Sequence, residues 1–592
     1  MRRLLLAMFV ALMASLPLFL PDWLMTPLNF AAFGLLVVLG LYLLTGLARM
    51  TSFGQAAFMG IAAYSSAFLT SRYGLSPWLT LFVAVFIAAA AAALVGLLTV
   101  RLKGHYLPLS TIAWQISIAI VFGNLVGITG GHSGLGNLPA VTFFGLPLRS
   151  SRQFYYLAWA FVALATWAAA NLTSSRSGRA MRALRGDAVA AAAFGVHPAW
   201  LKLRVFVLAG AFAGVAGWLY AHFLRFVNPT PFSLEASITY LIMGVVGGIG
   251  SLPGVFLGTG IVITLEESLK QVLPRLFGRG GNYELIGLGL VLVAILLFAP
   301  KGLWVFIADI FPKAKGRVPQ GEGLVTPAQH KPVADGEVLL ELCGVSKAFG
   351  GLLAVNDLSF QVRRGEIVGL IGPNGAGKTT SFNLITGVLP PSSGEVRYQG
   401  QTLSGLPLYR MAAQGLVRTF QHPHLFKDMT VLENAALGTY SRSRAGMLAS
   451  LFRLDRREEA RILREAYLQL QRVGLADVAF DKAGNLPLGK QRLLEIARAL
   501  AADPQMLLLD EPAAGLRGAE KRELAALVRA LAKSGITILF VDHDMDLLMN
   551  LVDRVVVMHY GEKLAEGSPR DVQRNAKVIE AYLGSSEETA VA

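Results

Sequence analysis

The segment Gly372-Pro373-Asn374-Gly375-Ala376-Gly377-Lys378-Thr379, followed by Thr380, has the G-x-x-x-x-G-K-[ST] spacing of a phosphate-binding loop. Its glycines let main-chain amides converge on phosphate oxygens at a helix start, where the helix dipole favours anions, and Lys378 adds charge toward the terminal phosphates. The Thr379 hydroxyl suits Mg2+. Downstream, Met506-Leu507-Leu508-Leu509-Asp510-Glu511 reads as a short buried strand ending in two carboxylates. That ending offers Asp510 to Mg2+ through its water shell and Glu511 to an attacking water. Gln421, in Arg418-Thr419-Phe420-Gln421-His422, carries an amide able to reach both metal and water, though an ordinary loop amide has the same appearance. His543, in Val541-Asp542-His543-Asp544, follows the run Ile536 to Val541 and can donate to a γ-phosphate. A lone histidine is more often structural, but one strand beyond Asp510 and Glu511 it reads as chemical. The chemistry implied is hydrolysis of ATP with Mg2+.

Elements able to hold these residues follow from periodicity. Short β-branched runs such as Glu366 to Ile371 and Ile536 to Val541 alternate with helical stretches, the pattern of a soluble α/β domain. The rest of the chain is different. Of 592 residues 54% are hydrophobic, and residues 1–300 hold 18 Lys and Arg against 6 Asp and Glu, whereas the remainder holds 35 against 32. The positive excess therefore lies between long apolar runs, which points to a bilayer and argues against nucleic acid. Cys343 is the single cysteine, so no disulfide within the chain and no cysteine metal site can form.

A helix needs about 20 mostly apolar residues to cross a bilayer. Spans are expected near 4–22, 28–48, 53–70, 78–100, 105–127, 153–172, 203–224 and 283–299, with the first retained rather than cleaved as a signal. The stretch 236–270 is too long for one crossing. Arg2 and Arg3 favour a cytoplasmic start, and Arg176, Arg179, Arg182, Arg185, Lys202 and Arg204 a cytoplasmic loop. An ATP-using domain on that side requires an even count, so 236–270 is expected to split at Gly250-Ser251-Leu252-Pro253-Gly254, giving about ten spans. Eight is the alternative if two segments are re-entrant. Gly244, Gly247, Gly248, Gly250 and Gly254 suit either close helix packing or a broken helix lining a pathway. Glu235, Glu266 and Glu267 are either intramembrane acids or solvated span ends. Residues 312–336 collect Pro, Gly and charge and read as a linker between a membrane domain at 1–311 and a soluble domain at 337–592.

Residues 337–584 resemble the ATP-binding cassette superfamily. Phe349-Gly350-Gly351, GPNGAGKTT at 372–380, Arg418-Thr419-Phe420-Gln421, LLEIARAL at 493–500, DEPAAGL at 510–516 and Ala581-Tyr582-Leu583-Gly584 are most similar to cassettes of branched-chain amino acid importers. The resemblance implies that Phe349 stacks on adenine; a packing aromatic at a strand end would read the same. Two departures fall where a cassette touches ATP held by its partner. The signature segment is Leu486-Pro487-Leu488-Gly489-Lys490-Gln491 in place of L-S-G-G-Q, so Pro487 replaces a serine aimed at the γ-phosphate while Gly489, Lys490 and Gln491 remain as trans contacts. After Gly515-Leu516 the expected Asp or Asn is Arg517. Both departures imply unequal ATP sites.

The membrane half independently resembles permeases of the same family, across SFGQAAFMGIAAY at 52–64, LKGHYLPLSTIAW at 102–114, ITGGHSGL at 128–135, SGRAMRALRGD at 177–187, 226–258 and APKGLW at 299–304. On this resemblance 176–204 is a coupling helix with Gly195-Val196-His197-Pro198 as its turn; the alternative is a basic loop facing anionic lipid. The architecture expected is a polytopic α-helical membrane domain followed by an α/β P-loop NTPase, an ABC cassette. The family implies ATP-driven import of a small polar solute, such as an amino acid, across a bacterial-type inner membrane, with the ATPase in the cytoplasm. Its partners would be a second permease, a second cassette and an extracytoplasmic solute-binding protein. Competing readings are a homodimeric exporter half and a regulatory membrane ATPase that moves no solute.

Overall fold

A computed structural model describes residues 2–102, 104–143, 145–277, 283–308, 310, 316–321, 336–421 and 423–583. Of the stretch 312–336 only 316–321 and 336 fall among them; His422 and Gly584 lie outside the described residues. The chain divides into two compact units, one of Met1–Ser174, Ala199–Ala314 and Ser450–Arg453, the other of Ser175–Pro198, Lys315–Ala449 and Leu454–Ala592.

The first unit is helical. Among the described residues, six helices are long and apolar enough to cross a membrane: Asp22–Leu47, Pro77–Thr99, Tyr106–Asn124, Ser151–Thr173, Pro198–Leu224 and Leu252–Lys270. Asp22–Leu47, which ends in a π-helical turn from Tyr42, is the buried centre, whereas Pro77–Thr99 turns Phe82, Phe86 and Leu94 outward. Lipid offers no hydrophobic drive between helices, so contact is set by small residues. A Cβ at Gly247 would collide with the Gly254 carbonyl, and one at Gly258 with the Met243 carbonyl. Leu234–Gly247 and Leu252–Phe277 thus cross backbone to backbone. The chain breaks between them slightly before the expected point: Gly248, at φ +102, ends the first helix. Ser251 Oγ accepts the Gly254 N–H at 3.2 Å and starts the next, with Pro253 in its first turn where no N–H is missed. On that second helix Lys270 donates to Glu266 at 2.7 Å and to Glu267 at 3.4 Å, so one ammonium serves both acids on their own helix.

The second unit is built on a six-stranded sheet in the order Glu562–Gly567, Arg554–His559, Ile367–Ile371, Thr537–Val541, Met506–Asp510, Leu416–Arg418. Only the Glu562–Gly567 edge is antiparallel. Ile367–Ile371, Met506–Asp510 and Thr537–Val541 are buried along their whole length, as strands covered on both faces must be. A four-stranded antiparallel sheet, Leu352–Arg363, Val338–Phe349, Ser393–Tyr398 and Gln401–Thr402, completes the core. Ligand-binding loops in such sheets gather at the carboxyl ends of the parallel strands. Residues 372–380, Glu511 and His543 all follow those ends.

Candidate active site

A cleft of about 540 Å3 opens over these strand ends, lined by Asn374 to Thr380, Gln421, Glu511, His543, Tyr560 and Leu352 to Ala354. Its floor is the loop leaving Ile367–Ile371. Gly377 has φ +97, and a Cβ there would stand 2.5 Å from the Ala354 carbonyl, so only glycine fits. Gly372, Pro373 and the Lys378–Ile385 helix complete the turn. Lys378 is buried and its Nζ donates to the Gly372 carbonyl at 2.7 Å and the Pro373 carbonyl at 3.0 Å. Burial lowers its pKa, opposed by the charges of Glu511 and Asp510.

Register brings the acids to the same place. Met506–Asp510 and Thr537–Val541 pair with Asp510 opposite Val541, and the Glu511 N–H donates to the Val541 carbonyl at 2.8 Å. Glu511 itself has φ +48, a left-handed conformation uncommon for a side-chain-bearing residue, which turns its carboxylate into the cleft. There it is held from both sides: Gln421 Nε2 donates to Oε2 at 3.0 Å, and His543 Nε2 lies 2.7 Å from Oε1. Asp510 is 1% exposed; burial raises its pKa against the pull of Arg418, whose guanidinium donates to it at 3.3 Å. Arg418 also donates to Asn383 at 2.8 Å and Thr386 at 2.9 Å, tying the loop's own helix to the acid.

The Leu488–Ala501 helix supplies a device that sequence reading missed. Arg492 donates to the Phe420 carbonyl at 3.1 Å and the Gln421 carbonyl at 2.6 Å, Arg498 donates to the His424 carbonyl at 2.9 Å, and Glu495 accepts the His424 N–H at 3.1 Å. These three buried charges fix the main chain that presents Gln421. Burial pushes the Glu495 carboxyl up to about 7, with Arg498 and Arg492 opposing. The available signal was their spacing of three on one helix face.

Other expected residues stand apart from the cleft. Phe349, exposed at its strand end, is not among the lining residues, whereas Tyr560 is. Pro487 caps the Leu488–Ala501 helix without a side-chain hydrogen bond; Gly489 abuts the Glu520 carboxylate, Gln491 Nε2 donates to the Leu486 carbonyl at 2.7 Å, and Lys490 lies 3.8 Å from Asp477. Arg517 opens the Gly518–Lys533 helix and gives its N–H to Glu520 at 2.8 Å, the part of a capping box that the third helical residue supplies.

Ser175–Pro198 forms two short helices, Arg176–Gly186 and Ala188–Ala192, and a turn at Gly195, which has φ +90. Arg176 donates at 2.7 Å to the carbonyls of Ala445 and Tyr440, Arg179 makes a two-pronged pair with Glu459, and Arg182 meets Glu433 at 2.6 Å. Asp187 Oδ2 lies 2.5 Å from His424 Nδ1, and Phe194 lies under the Arg498 guanidinium at 4.6 Å. Gly195 faces Ser441, Val196 is fully buried, the His197 ring stacks on Tyr409 at 4.3 Å, and Pro198 opens the next helix. His424 and Arg498 thus touch both this segment and the backbone around Gln421.

Residues 24–297 match the family described as branched-chain amino acid transport system, permease component; 355–514 match the ABC transporter family, and 562–588 the branched-chain amino acid ATP-binding cassette transporter family. The high-affinity branched-chain amino acid transport ATP-binding protein LivG of Salmonella typhimurium is 45% identical over 251 residues, 42% of this chain and 98% of LivG. BraF of Pseudomonas aeruginosa, which bears the same description, is 43% identical over the same shares of each chain. The crystal structure of a nucleotide-free ATP-binding cassette from an ABC transporter is 34% identical, covered over 100% of its length and 42% of this chain, with TM-score 0.38. A multi-pass apolar unit matching a permease and an ATP-binding, ATP-hydrolysing unit matching LivG lie on one polypeptide, and the chain belongs to the branched-chain amino acid ABC transporters as a fusion of permease and ATPase.

Proposed function

We propose that this chain drives import of a small polar solute, a branched-chain or other amino acid, as the fused permease and ATPase of a binding-protein-dependent transporter in a bacterial-type inner membrane, its ATPase facing the cytoplasm. One observation carries the coupling: Asp187 and Phe194, from permease sequence, contact His424 and Arg498, and Arg498 holds the His424 carbonyl in the segment that presents Gln421 to Glu511. The names of LivG and BraF support the choice of solute.

In this reading residues 372–380 clasp the phosphates of ATP, and Lys378 leaves its loop carbonyls for the terminal phosphates. Thr379, Gln421 and Asp510 offer hydroxyl, amide and carboxylate oxygens, a hard donor set that fits Mg2+ and not a soft metal. Mg2+ bound by these residues would neutralise phosphate charge. Glu511 takes the proton of the attacking water, Gln421 orients it, and His543 holds Glu511 and then donates to the γ-phosphate. Tyr560, in the cleft lining, competes with Phe349 for the adenine, and alanine variants of each separate them by nucleotide affinity. Pro487, Gly489, Lys490 and Gln491 lie outside this cleft because they serve ATP held by a second cassette; a second permease and an extracytoplasmic binding protein complete the assembly. Without a serine hydroxyl, Pro487 makes that opposite site the weaker one.

The test is leucine uptake into proteoliposomes containing the chain and whatever subunits purify with it, with ATP enclosed and binding protein outside. ATP-dependent accumulation lost in Glu511→Gln is the expected result. ATP turnover without accumulation overturns the reading in favour of a regulatory ATPase, and purification of this chain alone revives a homodimeric exporter.

A further inference from the structure

Ala581-Tyr582-Leu583-Gly584 is far along the chain from the phosphate loop, yet the fold returns Tyr582 to the back of that loop. After the edge strand Glu562–Gly567, the helix Pro569–Arg574 is started by Ser568, whose Oγ accepts the Asp571 N–H at 3.3 Å. Asn575, in extended backbone, ends that turn, and its Oδ1 accepts the Lys577 N–H at 3.0 Å to start the helix Ala576–Leu583. Val572 and Val578 are buried, so apolar packing seats both helices on the sheet unit. Where they meet it, a cavity of about 240 Å3 is bounded by Val578, Ile579 and Tyr582 of the last helix, by Ile371, and by Met545 and Met549.

Two of those walls belong to loops of the nucleotide cleft. Ile371 is the last residue of the buried strand Ile367–Ile371 and passes directly into Gly372, where the phosphate loop begins. Met545 opens the helix Met545–Met549 two residues after His543. The helix Ala576–Leu583 therefore backs both loops. Tyr582 goes further: its phenol meets the Gly372 main chain, and burial pushes its pKa up to about 12 against the pull of that contact. Gly372 has little room to shift, since a Cβ there would stand 2.2 Å from the Met558 carbonyl. Its own carbonyl accepts Lys378 Nζ at 2.7 Å. A line of contact thus runs from Tyr582 through one glycine to the lysine beside the phosphates. A phenylalanine would fill the same seat; the hydroxyl has a use only against a polar main-chain group.

We propose that Tyr582 is a positioning residue for the phosphate loop, the helix Ala576–Leu583 holding Gly372 from behind so that Lys378 stands ready for the terminal phosphates of ATP. This role rests on the assignment of residues 372–380 to phosphate and is independent of the solute carried and of the direction of transport. Glu511 and Gln421 line the cleft and not the cavity behind it, so the effect of Tyr582 falls on nucleotide affinity and spares the hydrolytic step.

The full chain with its copurifying subunits is labelled by light with 8-azido-ATP, the label is read on this chain after the subunits are separated, and turnover is followed over a range of Mg-ATP. Half-saturating nucleotide is expected to rise about threefold in Tyr582→Phe, which loses one hydrogen-bonding group, and about tenfold in Tyr582→Ala, with kcat within about twofold of wild type. Ile579→Ala, from the same helix and cavity wall, is expected to stay close to wild type. Tyr582→Phe keeps the test intact where the alanine variant does not fold. Wild-type half-saturation in Tyr582→Phe, an equal rise in Ile579→Ala, or a fall in kcat alone overturns positioning and leaves a packing aromatic. Lys378→Ala separates this role from the assignment beneath it: labelling as tight as in wild type removes the phosphate reading of 372–380, whereas lost labelling beside unchanged Tyr582 variants removes the positioning alone.

Discussion

Replacing Arg179 by methionine removes both prongs of an ion pair with Glu459 whose side chains are 3% and 16% exposed. Breaking a buried pair from one side leaves the Glu459 charge uncompensated, at about 3–5 kcal/mol. Part of that is offset, because Arg179 Nε is itself buried without a hydrogen-bond partner, an expense of about 1–2 kcal/mol that the wild type already carries. The net loss, about 2–3 kcal/mol, shifts the balance between docked and undocked Arg176–Pro198 by roughly 30- to 150-fold. In proteoliposomes Arg179→Met should therefore lower amino acid uptake by at least about tenfold while nucleotide affinity of the cleft stays within about twofold. Arg179→Met with Glu459→Met removes both charges, and an apolar pair of this kind is close to neutral relative to the ion pair, so uptake should return to within about threefold of wild type. A double variant as impaired as the single one would refute the argument, since the defect would then lie in packing and not in a stranded charge.

Three further outcomes follow from the same geometry. Glu511→Gln should abolish ATP turnover at its own site while retaining nucleotide binding, and should cost the assembly much more turnover than the equivalent change in the partner cassette; equal losses in an ATPase assay would remove the case for unequal sites. Gly195→Val forces a branched residue into φ +90 against Ser441, costing about 1–2 kcal/mol from backbone strain alone, and uptake should fall roughly tenfold with ATP binding intact. Glu495 takes up a proton on folding between the ordinary carboxylate range and about 7, so the folded state gains on the acid side and loses stability as pH rises through that window. Glu495→Gln keeps an acceptor for the His424 N–H and should flatten the dependence of Tm on pH between about 5 and 7; parallel curves for the two proteins would count against it.

The nucleotide site was legible because its information is local. Gly377 answers to its own φ and to one facing carbonyl, and Asp510 and Glu511 follow from the end of a buried strand. The break at Gly248 was placed a few residues late because Pro253 looks like a helix stop but is tolerated in a first turn, while the left-handed glycine before it ends the helix. The contacts that hold Gln421 left only a weak signal, charges spaced by three on one helix, for another reason. Arg492 and Arg498 sit in a helix whose charges look like those of any solvated face, and their partners are main-chain carbonyls more than seventy positions away. Glu459 likewise lies 280 positions from Arg179, and nothing in either neighbourhood announces the pair.

That permease and ATPase sequences lie on one polypeptide changes what the contacts of Ser175–Pro198 have to achieve. Two separate subunits at micromolar abundance must find each other by affinity, whereas a tether keeps the partner at an effective concentration of about millimolar, a difference worth about 4 kcal/mol. The interface is thus relieved of the task of assembly and can be tuned for release. A permease and an ATPase on one polypeptide are also made in a one-to-one ratio, fixed at translation rather than by subunit supply.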